Sequence, residues 1–290
     1  MLIDSHCHLD FAAYKDDVVD VISRARQAGV KMINIGTKQS TSQTALAQAK
    51  QYPEDIWAVI GVHPIHLVDD IEEKSDFGAD GGYTFTTKKE VFDEDFYRQL
   101  ATDEKVVGFG ETGLDYYHLP KGQTVPAVKA IQEKVFRAFI GLALETDKAL
   151  VMHCRGSKKN PNDAYDDMIA ILREEKEKRG GLPRGVIHCF GGTLAHAQAF
   201  TALGFCIGFT GIITFKNAES LRDVACALPL EKILIETDAP FLAPDPQRGK
   251  RNEPAYVALV AEKIAEIRGL PLSTVAETTT ATAKTVFKIS

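Results

Sequence analysis

The sequence predicts an α/β fold, a single (β/α)8 TIM barrel spanning residues 1–290, and three observations predict it. Eight short apolar, β-branched runs recur along the chain, stretches of helical period lie between them, and 290 residues exceed the roughly 250 that such a barrel uses. Strand then helix, repeated, gives parallel strands with crossover helices, and eight such units most simply close on themselves. An open doubly wound sheet is the rival. No strand-turn-helix here carries its G-x-G-x-x-G fingerprint, and there is no G-x-x-x-x-G-K-[ST] phosphate loop.

The first strand runs from Leu2 to His8, and Val18, Val19, Ile22 and Ala25 follow at helical spacing before Gly29. The second spans Lys31 to Gly36 and the third Trp57 to Val62. After it, Ile65 to Lys89 reads as a loop longer than a minimal barrel needs, acidic at first and then rich in Gly, Asp and Thr (Gly78, Asp80, Gly81, Gly82, Thr84, Thr86, Thr87). The fourth strand is Val106 to Glu111. Helical period returns at Val135, Phe136, Phe139, Ile140 and Leu142 before Asp147, leading to the fifth strand, Ala149 to Cys154. A second long loop, Ser157 to Asp163, comes next. Gly185 to Cys189, Phe205 to Phe209 and Ile233 to Thr237 complete the eight. Both long loops rise over the rim where the strands end, a position that usually serves binding.

Composition narrows the function. With 44% hydrophobic and 26% charged residues the chain can bury a large core, as one domain. A net charge of −6 and a pI near 5.8 argue against broad neutralisation of duplex DNA, so any nucleic-acid contact is expected to be local. Five cysteines, an odd number set mostly in apolar text, suit reduced thiols in the cytoplasm. Met1-Leu2-Ile3-Asp4 enters the first strand without a signal-like segment, and no apolar run approaches the ~20 residues of a membrane helix. No membrane partner is expected, and a monomer is the favoured state.

Six side chains that ligate metals sit in or directly after the apolar runs: His6, His8, Glu111, His153, His188 and Asp238. Residues two apart on a strand share a face, so His6 and His8 both aim into the barrel mouth while Cys7 turns toward the helices. Met152-His153-Cys154 and Ile187-His188-Cys189 repeat one design, a histidine after an apolar residue and before a cysteine. Each histidine alone reads equally well as a hydrogen-bonded core residue. Four buried imidazoles without partners would cost several kcal/mol, which makes metal coordination the more economical account. The adjacent cysteines compete for that role as softer ligands, and strand alternation disfavours them. Glu111 and Asp238 end apolar runs and need a cation or hydrogen bonds to stay ionised; the plainer readings are a salt-bridge partner for Glu111 and a turn cap for Asp238. Four histidines and two carboxylates exceed one tetrahedral ion and suit two divalent ions, with Glu111 as the bridge because its strand lies between the others around the ring. Zn²⁺, Mn²⁺ and Fe²⁺ suit such donors; Mg²⁺ remains a candidate, though unusual with so many nitrogens.

His6-Cys7-His8, Gly61-Val62-His63-Pro64, Gly110-Glu111-Thr112-Gly113-Leu114-Asp115-Tyr116-Tyr117, His153-Cys154-Arg155, His188-Cys189-Phe190 and Glu236-Thr237-Asp238-Ala239-Pro240-Phe241-Leu242 together resemble the TatD family of metal-dependent deoxyribonucleases, within the amidohydrolase superfamily. The likeness continues to Arg248-Gly249-Lys250-Arg251-Asn252-Glu253-Pro254 and covers nearly the whole chain. It implies a (β/α)8 barrel, a divalent metal centre and hydrolysis of DNA phosphodiester bonds, often as a 3′-to-5′ exonuclease favouring single strands. It also implies Asp238 as a metal ligand and as proton acceptor from the attacking water. The departure is Ile65 to Lys89, longer than the compact bacterial pattern, which leaves substrate preference open.

The residues themselves support that class of mechanism: Asp238 and Glu111 as the catalytic carboxylates, water as nucleophile, two cations stabilising phosphate. His63, Arg155 and the Arg248-Lys250-Arg251 cluster lie on the same rim as candidates to bind substrate. Lys158 and Lys159 read as solvated surface. Tyr116 and Tyr117 reach the mouth, either to stack on a base or to pack under the loop. Two other readings stay open. One keeps the metal site for a small amide, lactone or ester, against which stands Glu111 where many amidases have a lysine; the other is a non-catalytic metal protein with a closed ligand shell.

Overall fold

The computed structural model describes residues 1–77, 81–120 and 125–290, and a ring of eight parallel strands forms its centre. In chain order the elements are β1 (Leu2–Cys7), α1 (Val18–Gln27), β2 (Val30–Ile35), α2 (Gln39–Gln51), β3 (Ile56–Ile60), β4 (Glu72–Asp76), β5 (Gly82–Thr86), α3 (Glu94–Leu100), β6 (Val106–Asp115), α4 (Val125–Thr146), β7 (Ala149–Arg155), α5 (Asp163–Arg179), β8 (Gly185–Ile187), α6 (Leu194–Ala202), β9 (Cys206–Phe209), α7 (Glu219–Ala227), β10 (Ile233–Ile235), α8 (Val257–Arg268) and α9 (Leu272–Phe287). The ladder runs β1-β2-β3-β6-β7-β8-β9-β10. It closes where Ala239, just past β10, bridges Cys7 in parallel, with Asp238 N–H donating to His6 O at 2.9 Å and His8 N–H to Ala239 O at 2.8 Å. The expected TIM barrel is therefore the observed fold.

Each barrel strand matches an expected run to within two residues except β6, which continues past Glu111 to Asp115. Gly108-Phe109-Gly110-Glu111-Thr112-Gly113 happens to have dinucleotide-loop spacing, and it lies wholly inside β6. Its glycines answer a different need. A Cβ on Gly110, at φ +153°, would stand 2.5 Å from Val151 O, and one on Gly61 would stand 2.5 Å from Gly110 O. Strands β3, β6 and β7 thus approach too closely there for side chains, and the β6–β7 register slips between Phe109 and Thr112.

Inside the ring, Ile3, Ile35, Val59, Val151, Val186 and Leu234 pack together, and α9 closes the lower end with Ala283, Val286 and Phe287. Two bonds hold this plug: Thr280 Oγ1 donates to Met1 O at 3.3 Å and Arg184 Nε to Val286 O at 2.7 Å. Outside, apolar faces such as Cys7, Met32, Phe109 and Phe209 pack under the helices. The upper end is left to polar side chains.

The stretch from Ile65 to Lys89, expected as a loop, contains an antiparallel hairpin in which β4 pairs with β5. Its base is pinned by Ile65, Val68, Ile71 and Val128, with Phe85 against them, and by Thr87 N–H donating to Ile71 O at 2.8 Å. Gly78 and Asp80 lie outside the described residues. Among the described residues no helix is long and apolar enough to cross a membrane.

Candidate metal centre

The strand ends bring all six expected ligands to one point. On β1, His6 and His8 face inward with their Nε2 atoms 3.1 Å apart, while Cys7 faces out and its Sγ donates to Ile33 O at 3.5 Å. Metal–nitrogen bonds of about 2.0–2.1 Å put two nitrogens on one ion roughly 3 Å apart, so this pair has the spacing of a chelate. Glu111 stands between two groups: Oε2 is 3.4 Å from His6 Nε2 and 3.6 Å from His8 Nε2, and Oε1 is 2.8 Å from His153 Nδ1 and 3.7 Å from His188 Nε2. Asp238 Oδ1 lies 3.4, 3.6 and 3.8 Å from the Nε2 atoms of His8, His188 and His6. The His6 and His188 rings stack at 3.4 Å.

The outer nitrogen of each imidazole fixes what the inner one offers. His8 Nδ1 meets Ile35 O at 2.9 Å and His153 Nε2 meets Asp115 Oδ2 at 3.0 Å in hydrogen bonds, while His188 Nδ1 lies 2.9 Å from Glu236 Oε1 as an ion-pair contact outside hydrogen-bond geometry. Donating outward, a neutral ring turns a lone pair inward, as a metal ligand requires. His6 Nδ1 is buried without a hydrogen-bond partner, so this ring is placed by its stacking on His188 and by the contacts of its Nε2 at the centre. His63 is the reverse case. Its Nδ1 accepts from Ile65 N–H at 3.2 Å, so the neutral ring carries its proton on Nε2, which points at His153 Nδ1 (3.2 Å) and Glu111 Oε1 (3.5 Å). His63 therefore presents a donor to the cleft.

Charges follow the same pattern. Burial pushes the His153 imidazole down, but Asp115 and Glu111 outweigh it and bring it up to about 9; Glu236, Asp238 and Glu111 likewise lift His188 to about 10. His6 drops to about 4 through burial and the neighbouring His188, and burial with His153 holds His63 well below its usual value. Burial alone would raise both carboxyls. His63 and His188 instead hold Glu111 well below the usual range, and His188 with His8 holds Asp238 low. Both carboxylates are ionised at neutral pH.

Above the centre opens a cavity of about 860 Å³. His63 and Arg155 line it as expected, together with Arg248, Lys250 and Lys74. Lys158, read as plain surface, also lines it, with Nζ 4.6 Å from the Tyr117 ring and the Arg155 guanidinium 4.0 Å from the same ring. Tyr116 packs beneath: it is buried, donates to Asp167 Oδ2 at 2.9 Å and lies under Lys129. Arg251 is not among the lining residues. Its guanidinium donates to Asp17 Oδ1 and Oδ2 at 2.9 and 2.6 Å and to Ala13 O at 2.6 Å, tying the loop after β10 to the start of α1. In this position it ties the fold together, away from the cavity lining on which it was expected.

Two carboxylates went unassigned in the sequence. Asp115 anchors His153 and also takes His118 Nδ1 at 2.9 Å; Glu236 anchors His188 and accepts Cys189 N–H at 2.6 Å. Spacing within a strand gives no signal for either, since each supports a histidine on another strand and alternation is broken by the register shift in β6 and by Asp238 at φ +57°. Cys189 departs from alternation. At φ +44° it leaves the strand conformation, and its thiol groups with His188 and Asp238 as a possible ligand set.

A family profile described as TatD related DNase matches residues 3–288. The chain is 37% identical over its full length to the metal-dependent hydrolase YabD of Bacillus subtilis (strain 168), covering all of it. It is 34% identical to the 3′-5′ ssDNA/RNA exonuclease TatD of Escherichia fergusonii, again over the full length of both. The crystal structure of YJJV, a TatD homolog from Escherichia coli K12, superposes with a TM-score of 0.80 at 28% identity, covering 100% of this chain and 98% of that one.

Proposed function

The chain belongs to the TatD-related DNase family and is a metal-dependent hydrolase, and from that premise we propose that it cleaves phosphodiester bonds of single-stranded DNA from the 3′ end. One observation carries the reading: six ligand-type side chains converge at the foot of a cleft that cations line on both sides. The outward hydrogen bonds of His8 and His153 and the close grouping of His6 and His8 with Asp238, of His6 and His188 with Glu111, and of His153 with Glu111 fit divalent cations, which these six side chains would hold. Such ions would supply activation of water and neutralisation of phosphate charge.

The chain's own residues do the rest. Asp238, ionised and facing the centre, accepts a proton from the attacking water and returns it to the leaving oxygen as the phosphorus–oxygen bond breaks. The Nε2–H of His63 donates to a non-bridging phosphate oxygen, and Arg155 with Lys158 holds the adjoining phosphate. A small neutral amide, lactone or ester offers these cations a carbonyl oxygen but no anionic charge. The test is degradation of 3′-ended single-stranded DNA with Mn²⁺ or Zn²⁺ restored after chelation, run beside esters and lactams. His153→Ala and Asp238→Ala are expected to lower the rate by a factor of about 10² or more; wild-type rates in either variant, or turnover confined to the esters, would overturn the assignment.

A further inference from the structure

Cations line the mouth of the barrel on both sides, Arg155 and Lys158 after β7 and Arg248 and Lys250 after β10, and one side carries in addition a file of rings. In the order of the ring, the seam between β10 and β1 stands opposite the seam between β6 and β7. At the first seam a file of rings leads away from the ligands: Phe11 stacks on His8 at 4.4 Å, Phe241 meets Phe11 edge-on at 5.8 Å, and Phe77 meets Phe241 at 6.3 Å. They come from three places, the turn after β1, the loop after β10 and the tip of the β4–β5 hairpin. At the second seam Arg155 and Lys158 gather over Tyr117. All of these side chains line the one cavity over the metal centre.

From this juxtaposition we infer that Phe11, Phe77 and Phe241 form a stacking subsite for a nucleobase of an unpaired strand, while Arg155 and Lys158 take the phosphates on the facing wall. The inference rests on the phosphodiesterase reading and adds the wall that receives the base. Phenylalanine offers neither donor nor acceptor, so the subsite reads the π-face that every base shares and not base identity. A base within a duplex has both faces covered by its neighbours and must be extruded before it can lie on a ring, at a cost of a few kcal/mol. The aromatic wall thereby selects strands already single, and the hairpin's share in the selection is Phe77, a largely buried ring that backs Phe241 at the edge of the cavity. The position of the file matters as well. It begins on a ligand ring, so a base resting against it keeps its own phosphate beside the centre.

The test is equilibrium binding by fluorescence anisotropy to the full-length, Mn²⁺-loaded protein. The probes are short oligothymidylates with phosphorothioate linkages to slow cleavage, either base-bearing or abasic at the last three 3′ positions. Stacking worth about 1–3 kcal/mol predicts that the base-bearing strand binds about 5- to 150-fold more tightly. Phe77→Ala and Phe241→Ala should each lower that ratio, and Phe77→Tyr and Phe241→Tyr, which keep the ring, should retain it. A ratio near one in the wild type, no binding of either strand, or equal losses on both strands in the alanine variants would overturn the subsite. A high ratio in a protein that hydrolyses no phosphodiester would overturn the proposed function and leave the subsite standing; hydrolysis with a ratio of one would do the opposite.

Discussion

An imidazole has two nitrogens, and whatever holds the outer one decides the use of the inner. At this centre Asp115 holds His153 and Glu236 lies against His188, so each ring, once it gives up its inner proton, faces the cleft as an acceptor; the backbone at Ile65 holds His63 the other way round. Outer partners of this kind are worth about 10- to 100-fold in metal affinity. Asp115→Asn is thus expected to weaken cation binding by about that factor with the six ligands intact, and Glu236→Gln to do likewise, as read by calorimetric titration of the metal-free protein. Affinity unchanged in both would show that the rings are held by packing alone. The ligands themselves were legible because each is a polar residue at the end of an apolar strand, where only inward or outward is possible. Their supports were not, because Asp115 and Glu236 serve another residue's far nitrogen, a relation between strands that no spacing within one strand encodes. Cys189 shows the complementary limit: alternation aims it away from the centre, and a backbone turn at φ +44° cancels the rule.

At the scale of elements, the eight barrel strands were readable since a strand buried on both faces must be apolar almost throughout. The hairpin was not: its β4 is Glu-Glu-Lys-Ser-Asp, a strand whose pairing with β5 no hydrophobic alternation announces. The destination of α9 was equally hidden. Val275, Thr279, Ala283 and Val286 give a helical stripe in the sequence, but not the fact that it stoppers the barrel. Phe287, fully enclosed in that plug, makes the helix accountable for stability. Phe287→Ala should cost about 3–5 kcal/mol in denaturant unfolding while the upper rim keeps its cation affinity, because the ring fills the end of the barrel opposite the ligands. A loss below about 1 kcal/mol would mean that α9 merely rests on the barrel.

For the molecule as a whole, the net charge of −6 described the wrong length scale. Acidic residues dominate the sum, yet Arg155, Lys158, Arg248, Lys250 and Lys74 are collected around one opening, and only the fold could reveal that. Protons give the whole-molecule test. His153 and His188, at about 9 and about 10 in the fold against about 6.5 in the unfolded chain, bind protons more tightly when folded. Their contribution, on the order of a few kcal/mol together, is complete below pH 6.5 and drains away as pH climbs through 9 and 10. Asp4, raised to about 8 by burial at the seam where it accepts from Thr237, loses stability in the same direction. The metal-free protein should therefore melt at progressively lower temperature from pH 7 to pH 10. A divalent cation takes the place of the two imidazole protons, so the metal-loaded protein should escape most of that decline, and the gain in melting temperature on adding Mn²⁺ or Zn²⁺ should widen with pH. Scanning calorimetry with and without metal across this range measures both limbs. A metal-free melting temperature that stays level or rises above pH 7 would mean that His153 and His188 are already neutral, and that cations enter without displacing a proton.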